Sequence, residues 1–338
     1  MTGSSCETVS VDGVRILGVG ACLPETAVDN LSHCTALYGD AEKAENIIRA
    51  TGVQSRRVLC PGETALDLCV RAADGLIAKA GAAKAEIGAV VFVTFTPDRQ
   101  MPCNACVAAA RLGLRSDIVA FDLNQACAGW LYGVYTASLL AKSLGRTVLL
   151  LDGDSQTAHV DPADAATVPL LADAGTATLL APSADADSMT FAFLSDGAQG
   201  DALQLRAGGT IMMDGFAVFR FATVEVVHFI ESFLKRLGRT AADFDAFVPH
   251  QANVYMIRQI AKHLGFVPEK LKVSGDKFGN SASATVPVTI AHTGARGVLL
   301  AAGFGGGLAA AVARLPLSSD CVLLVIDGRG SLPAVFAQ

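Results

Sequence analysis

Basic residues are scarce in this chain of 338 residues. Lys and Arg number 26 against 32 Asp and Glu, a net charge of −6, and no basic run occurs. That argues against a nucleic-acid partner, which a basic patch would announce. Charge of either sign is low as well: charged residues make up 17% and hydrophobic ones 51%, the balance of a globular protein with buried strands. Long apolar runs are also missing. None reaches the roughly 18 residues of a membrane-spanning helix. The opening "MTGSSCETVSVDG" has neither the basic start nor the apolar core of a signal peptide. The expectation is a cytoplasmic protein with no membrane partner and with reduced cysteines.

Paired metal ligands are lacking too. Nine cysteines are scattered along the chain, and only Cys103 and Cys106 have CxxC spacing. A structural zinc site takes a second such pair, so these two read as helix residues. His159 stands among Asp152, Asp154, Asp161 and Asp164. That is a metal cluster by composition only, and a solvated loop is the plainer reading. "GVGACL" lacks the third glycine of a dinucleotide fingerprint, and no Gly-Lys-Ser/Thr follows "GFGGG" at 303–307. No cofactor and no metal are expected.

What is present is alternation. "RILGVGACLP", "IGAVVFVTFT", "IVAFDL" and "TVLLLDGD" have the composition of buried strands. Between them "ETALDLCVRAADGLIAKAG", "PCNACVAAARLGL" and "CAGWLYGVYTASLLAKSLG" have helical spacing. The fold class is α/β, with mostly parallel central strands. The order then recurs. "FDAFVPH" follows the pattern of "VVFVTFT", and "GVLLAAGF" that of "TVLLLDGD"; "NSASATVPVTIAHTG" reads as a helix that Pro287 would kink. Thr96 lies 31 residues before Cys127, and His250 lies 30 before Asn280. If the halves superpose, Cys127 and Asn280 sit at equivalent helix starts, with Thr96 and His250 at equivalent strand ends.

Such a meeting point has chemistry. A cysteine at a helix N-terminus, in "NQACAGW" (124–130), has its thiolate favoured by unpaired backbone N–H groups. A nearby histidine assists a nucleophile. The small neighbours Ala126, Ala128 and Gly129 let a substrate approach. The "GFGGG" turn offers a further N–H to an oxyanion. Each residue also has an ordinary reading: a buried inert cysteine, a strand-end histidine, and an Asn280 that merely caps a helix.

Taken together, "NQACAGW", "VPHQAN", "FGNSASATVPV" and "GFGGG", in this order, resemble the β-ketoacyl synthase III family of the thiolase superfamily. "GVGACLPE", "ATGVQSRR", "DAGTATLL" and "MDGFAVFRFA" fit it as well, so the likeness runs from about Gly13 to Leu315. The resemblance implies a thiolase-like five-layered αβαβα fold from two duplicated halves, here residues 1–180 and 181–315, and a homodimer. It implies that Cys127 is acylated as a thioester and that His250 and Asn280 hydrogen-bond the carbonyl of a malonyl thioester. The amides of Cys127 and Gly306 would form the oxyanion hole, with Phe304 beside the reacting groups. The implied reaction is decarboxylative condensation, with an acyl carrier protein or acyl-coenzyme A as donor.

Departures cluster at the implied substrate entrance. Asn46 replaces a tryptophan and Ala165 an arginine that would stack on the adenine of coenzyme A. Tyr255 replaces an arginine used for the carrier protein, and Phe216 replaces an asparagine that contacts pantetheine. These losses favour a carrier-protein donor and a specialised fatty-acid or polyketide pathway. Met101, where the family often has a phenylalanine reaching across the dimer, and Trp130, beside the nucleophile, are expected to shape the acyl pocket. Residues 316–338 extend past the family's end, and "CVLLVID" reads as an added strand. Three alternatives stay open: acyl transfer to an alcohol or amine, a cysteine protease with the Cys…His…Asn order, and a non-catalytic partner subunit.

Overall fold

The computed structural model describes residues 6–328. Two sheets form its frame. The first has six strands in the order Val322–Asp327, Val14–Leu23, Ala174–Pro182, Thr147–Asp154, Ile87–Val93 and Val119–Leu123. The second has five, in the order Val9–Val11, Met189–Ser195, Ala309–Leu317, Gly297–Gly305 and Ala246–Pro249. Two strands lie across the expected division into halves. Val9–Val11 joins the second sheet and Val322–Asp327, within the C-terminal extension, edges the first. The added strand read from "CVLLVID" is therefore present. The last ten residues of the extension lie outside the described residues.

Successive side chains of a strand face opposite ways, and the core follows that period. Val91, Val93, Val148 and Leu150 pack inward, while Val90, Phe92, Leu149 and Leu151 pack outward. The inward set meets the helices Gly129–Leu144 and Thr285–Thr293, which also touch Leu299, Ala311 and Ala313 of the second sheet. These two helices form the middle layer. Ala65–Ala80 and Asn104–Arg111 cover the outer face of the first sheet. Val226–Leu237 and Val254–His263 cover that of the second. The result is the five-layered αβαβα arrangement.

Three sequence expectations need correction. The sheets are mixed, not mostly parallel. Gly297–Gly305 and Ala309–Leu317 are joined by only Gly306–Leu308, and so short a connection forces an antiparallel pair. Pro287 does not kink its helix: it is the third residue of Thr285–Thr293, in the first turn, where a missing N–H breaks no intrahelical bond. The register of the duplication is also different. Val93 and Pro249 end matching strands, which pair with Asp152 and Ala302. Each half then has a short 3₁₀ turn, Ala126–Ala128 or Ala282–Ala284, whose first alanine has positive φ (41° and 53°), before the middle-layer helix. Cys127 therefore matches Ser283, Asn124 matches Asn280, and Thr94 matches His250.

Candidate functional site

The left-handed Ala126 turns the chain sharply between Leu123 and the helix from Gly129, and Cys127 stands on that turn. Glycines make the setting possible. A Cβ on Gly129 would lie 2.5 Å from Val93 Cγ1, and one on Gly303 2.9 Å from Ala128 Cα. Gly305, at φ 148°, runs so close that its Cβ would lie 2.9 Å from both Cβ and Sγ of Cys127. The "GFGGG" backbone is thus pressed against the thiol.

The thiol is not pre-ionised. Desolvation raises its pKa to about 11, and the buried carboxyls of Asp154 and Asp152 push the same way. The amides of Gly306 and of Cys127 itself pull it down without prevailing. This corrects the expectation that the helix start would favour the thiolate at rest: burial outweighs the amides. Those same amides remain aimed at negative charge on or beside the sulfur.

His250 follows Pro249 at its strand end and is 1% exposed. Burial lowers its pKa to about 4, so the ring is neutral near pH 7. Its Nδ1 lies 2.8 Å from Thr285 Oγ1, and Phe304 meets the ring edge-on with centroids 5.5 Å apart. Asn280 is strapped in place through its backbone. Its N–H donates to Leu170 O at 2.9 Å, and its carbonyl accepts from Ala172 N at 2.8 Å and from the buried amide of Gln156. Gly279 before it takes φ 78°, and a Cβ there would meet Ala172 Cβ at 2.8 Å.

Cys127, His250, Asn280, Phe304 and Gly306 all line one cavity of about 610 Å³. Its walls are largely apolar, with Leu203, Leu205, Ile211 and Met213 from the hairpin over 203–213 and Phe219 beyond it. Among the described residues no Lys or Arg lines it. Residues brought from separate elements thus converge on a pocket that holds a thiol, a neutral imidazole, a carboxamide and backbone donors. That set suits acyl transfer through a tetrahedral oxyanion.

Other expected site residues stand elsewhere. Trp130 is buried in the middle layer, its indole N–H donating to Thr178 Oγ1 at 3.2 Å, and it does not line the cavity. As a pocket-shaping residue it is corrected: the helix turns it into the core. Met101, Phe216 and Tyr255 are exposed and likewise absent from the wall. Gly215 and Met256, their chain neighbours in the latter two cases, do line it. Asn46 and Ala165 are exposed, Asn46 accepting from Arg49 at 3.2 Å. The thiols of Cys103 and Cys106 lie 3.3 Å apart at a helix start. Among the described residues no group of three or more His, Cys, Asp or Glu is placed to hold a metal.

Sequence reasoning missed Asn124, Gln156 and Thr285. Asn124 lies inside the quoted "NQACAGW", lines the cavity and accepts from Ala126 N as Asn280 does from Ala282 N. It was legible as the duplicate of Asn280 once the register was right. Gln156 and Thr285 carry no pattern of their own.

Comparison with known proteins decides the family. Residues 121–197 match the model of 3-oxoacyl-[acyl-carrier-protein (ACP)] synthase III, and residues 234–315 match that of its C-terminal part. The β-ketoacyl-[acyl-carrier-protein] synthase III of Laribacter hongkongensis is 33% identical over 312 residues, covering 87% of this chain and 96% of that protein. The chain belongs to the β-ketoacyl-acyl carrier protein synthase III family. A second synthase III of this family, from Streptomyces coelicolor, is 34% identical over 307 residues, covering 88% and 91%. Among solved structures, a 3-oxoacyl-(acyl-carrier protein) synthase from Burkholderia xenovorans superposes with a TM-score of 0.90 at 29% identity, covering 96% of this chain and all of that one. The priming β-ketosynthase of the R1128 polyketide pathway reaches 0.84 at 30% identity, covering 91% and 97%. For a family member, the cavity around Cys127 is the candidate active site.

Proposed function

We propose that this synthase III-family enzyme is an acyltransferase that condenses an acyl group held on Cys127 with a malonyl thioester. The observation that carries the reading is the convergence of Cys127, His250, Asn280 and the Gly306 amide on one cavity. In the first half-reaction Cys127 sulfur attacks the donor's thioester carbonyl. The oxyanion forms against the amides of Cys127 and Gly306 and collapses to the acyl-cysteine. The thiol's proton leaves with the departing thiol. In the second, the malonyl thioester loses carbon dioxide. Its electron pair becomes an enolate, whose oxygen takes hydrogen bonds from His250 and Asn280. A neutral imidazole and an amide supply these donors without a counter-charge to desolvate. The enolate carbon attacks the acyl-cysteine carbonyl, the C–S bond breaks, and the Cys127 thiolate takes up a proton. The two half-reactions share one site and give ping-pong kinetics.

The acyl donor in this reading is a carrier-protein thioester, not coenzyme A. Exposed Asn46 and Ala165 offer no ring or cation to an adenine, and among the described residues the cavity wall has no Lys or Arg for a nucleotide phosphate. The enzyme acts as a homodimer in a specialised fatty-acid or polyketide pathway, in keeping with its likeness to a priming ketosynthase. Intact-mass spectrometry against acyl-coenzyme A and acyl-carrier donors tests this. Carrier-bound acyl groups should load Cys127, and malonyl carrier protein should then release carbon dioxide and a β-ketoacyl product. Efficient loading from coenzyme A donors alone would overturn the donor assignment. No acylation of Cys127 by any donor would overturn the reaction.

A further inference from the structure

A neutral imidazole carries one proton, and an enolate needs it on the nitrogen that faces the cavity. Nδ1 of His250 is engaged by Thr285 Oγ1 at 2.8 Å, which leaves Nε2 as the nitrogen available to a substrate. For Nε2 to be the N–H, Nδ1 has to be an acceptor, and an acceptor in a buried site needs a donor. Thr285 is 2% exposed and contributes the hydroxyl in contact.

The other contacts of that hydroxyl show how it is held. Gln251 N–H donates to Thr285 Oγ1 at 3.1 Å and occupies one lone pair. The hydroxyl is also placed to donate to Ala282 O at 2.8 Å, and that carbonyl is a hydrogen-bond partner of the His250 ring as well, so Ala282 O competes with Nδ1 for the single hydroxyl proton. Ala282 O, however, already accepts the backbone N–H of Thr285 itself. Turning the hydroxyl from Ala282 to Nδ1 therefore orphans no carbonyl. The backbone of this turn is fixed by Asn280 Oδ1, which accepts from Ala282 N at 2.9 Å, so one short segment sets both groups assigned to the enolate.

We propose that Thr285 is a positioning residue: its hydroxyl donates to Nδ1 of His250 and so keeps the ring's one proton on Nε2, facing the cavity. This rests on the reading of His250 as a hydrogen-bond donor to the enolate. No proton is transferred to or from Thr285 in the cycle. Without the hydroxyl, the ring proton moves to Nδ1, where Ala282 O accepts it, and Nε2 turns an electron pair toward the enolate oxygen.

The first test needs no substrate. In ¹⁵N-histidine-labelled protein, NMR should show His250 protonated at Nε2 in the wild type and in Thr285→Ser. In Thr285→Val the proton should appear at Nδ1. The second test splits the reaction. Thr285→Val should lower carbon dioxide release from the malonyl thioester by on the order of 10²-fold, the usual loss for one oxyanion donor. Acyl loading of Cys127, read by intact mass, should fall far less, and Thr285→Ser should restore carbon dioxide release. A wild-type His250 protonated at Nδ1 overturns the proposal, even if Thr285→Val does not fold. So does a Thr285→Val that loses both half-reactions equally. A wild type with Nε2 protonated that neither loads nor decarboxylates would instead sink the proposed reaction and leave the tautomer assignment standing.

Discussion

Asn280 Oδ1 accepts the Ala282 amide proton at 2.9 Å, so the carboxamide turns its NH₂ end to the cavity. Its Nδ2 reaches Ala252 O only at 3.5 Å, a weak hold that leaves it available. Asn280→Asp keeps the oxygen bound by Ala282 but puts a second oxygen where the NH₂ was. Donor becomes acceptor, with negative charge added beside an enolate. Carbon dioxide release from a malonyl thioester should fall by about 10²- to 10³-fold, while acylation of Cys127 persists on intact-mass analysis. Equal losses in the two half-reactions would remove Asn280 from the enolate site.

Gly305 is tied to the thiol by space alone. Its φ of 148° disfavours any L side chain, and a Cβ would stand 2.9 Å from Cys127 Sγ. Gly305→Ala should displace the thiol and slow acyl loading at least tenfold, since a displacement of about 1 Å can cost 10²-fold. Gly197→Ala, where nothing lies within 4 Å, is the control and should load at the wild-type rate. Matching rates for the two variants would show that Gly305 does not set the thiol's position.

Much of this was legible in the sequence, for physical reasons. Strands buried on both faces read as continuous apolar runs, so "AVVFV" and "TVLLL" announced themselves. Cys127, His250 and Asn280 each carry chemistry and stand at element ends. The failures share a cause: each depended on what surrounds a residue in space. The direction of Trp130 follows from its helix's rotation against two sheets. The protonation of Cys127 follows from desolvation, which no local pattern reports. The duplication slipped by two residues at the strand ends, where Thr94 and not Thr96 matches His250, and by three at the helix starts, where Ser283 and not Asn280 matches Cys127. Thr285 looked like one more helix residue until its hydroxyl was seen between two elements.

Two buried groups tie stability to pH in opposite directions. His250 has a pKa of about 4, below the ordinary 6.5, so the unfolded chain binds its proton first and stability is lost as pH falls from 6.5 toward 4. Asp154, raised by burial from 3.8 to about 6, holds its proton better when folded, so its contribution grows as pH falls through 6. Between pH 6 and 4 the two slopes oppose. Asp154→Asn removes one while keeping an oxygen for the donors Thr94, Phe95 and Thr96. Relative to wild type, the variant should lose about 1 kcal/mol of stability between pH 7 and pH 5, measured by urea unfolding. A pH-independent difference would mean that Asp154 ionises normally. Removing that carboxyl also favours the Cys127 thiolate, so alkylation by iodoacetamide at pH 8 should speed up.

Trp130 separates a core residue from a pocket residue. It is 1% exposed, packs with Leu131 and Val134 between the two sheets, and donates its indole N–H to Thr178 Oγ1 at 3.2 Å. Trp130→Phe removes that donor and leaves a gap the ring cannot fill. The combined loss of packing and hydrogen bond should cost about 1–3 kcal/mol in urea unfolding. The set of acyl groups that load Cys127 should not change, because the side chain does not reach the cavity wall. A variant of unchanged stability with an altered acyl range would return Trp130 to the pocket. The substitution that should alter the range is Leu205→Phe, which adds bulk to the wall itself. It should disfavour the largest groups in the same panel, and the contrast between the two variants places the boundary between core and site.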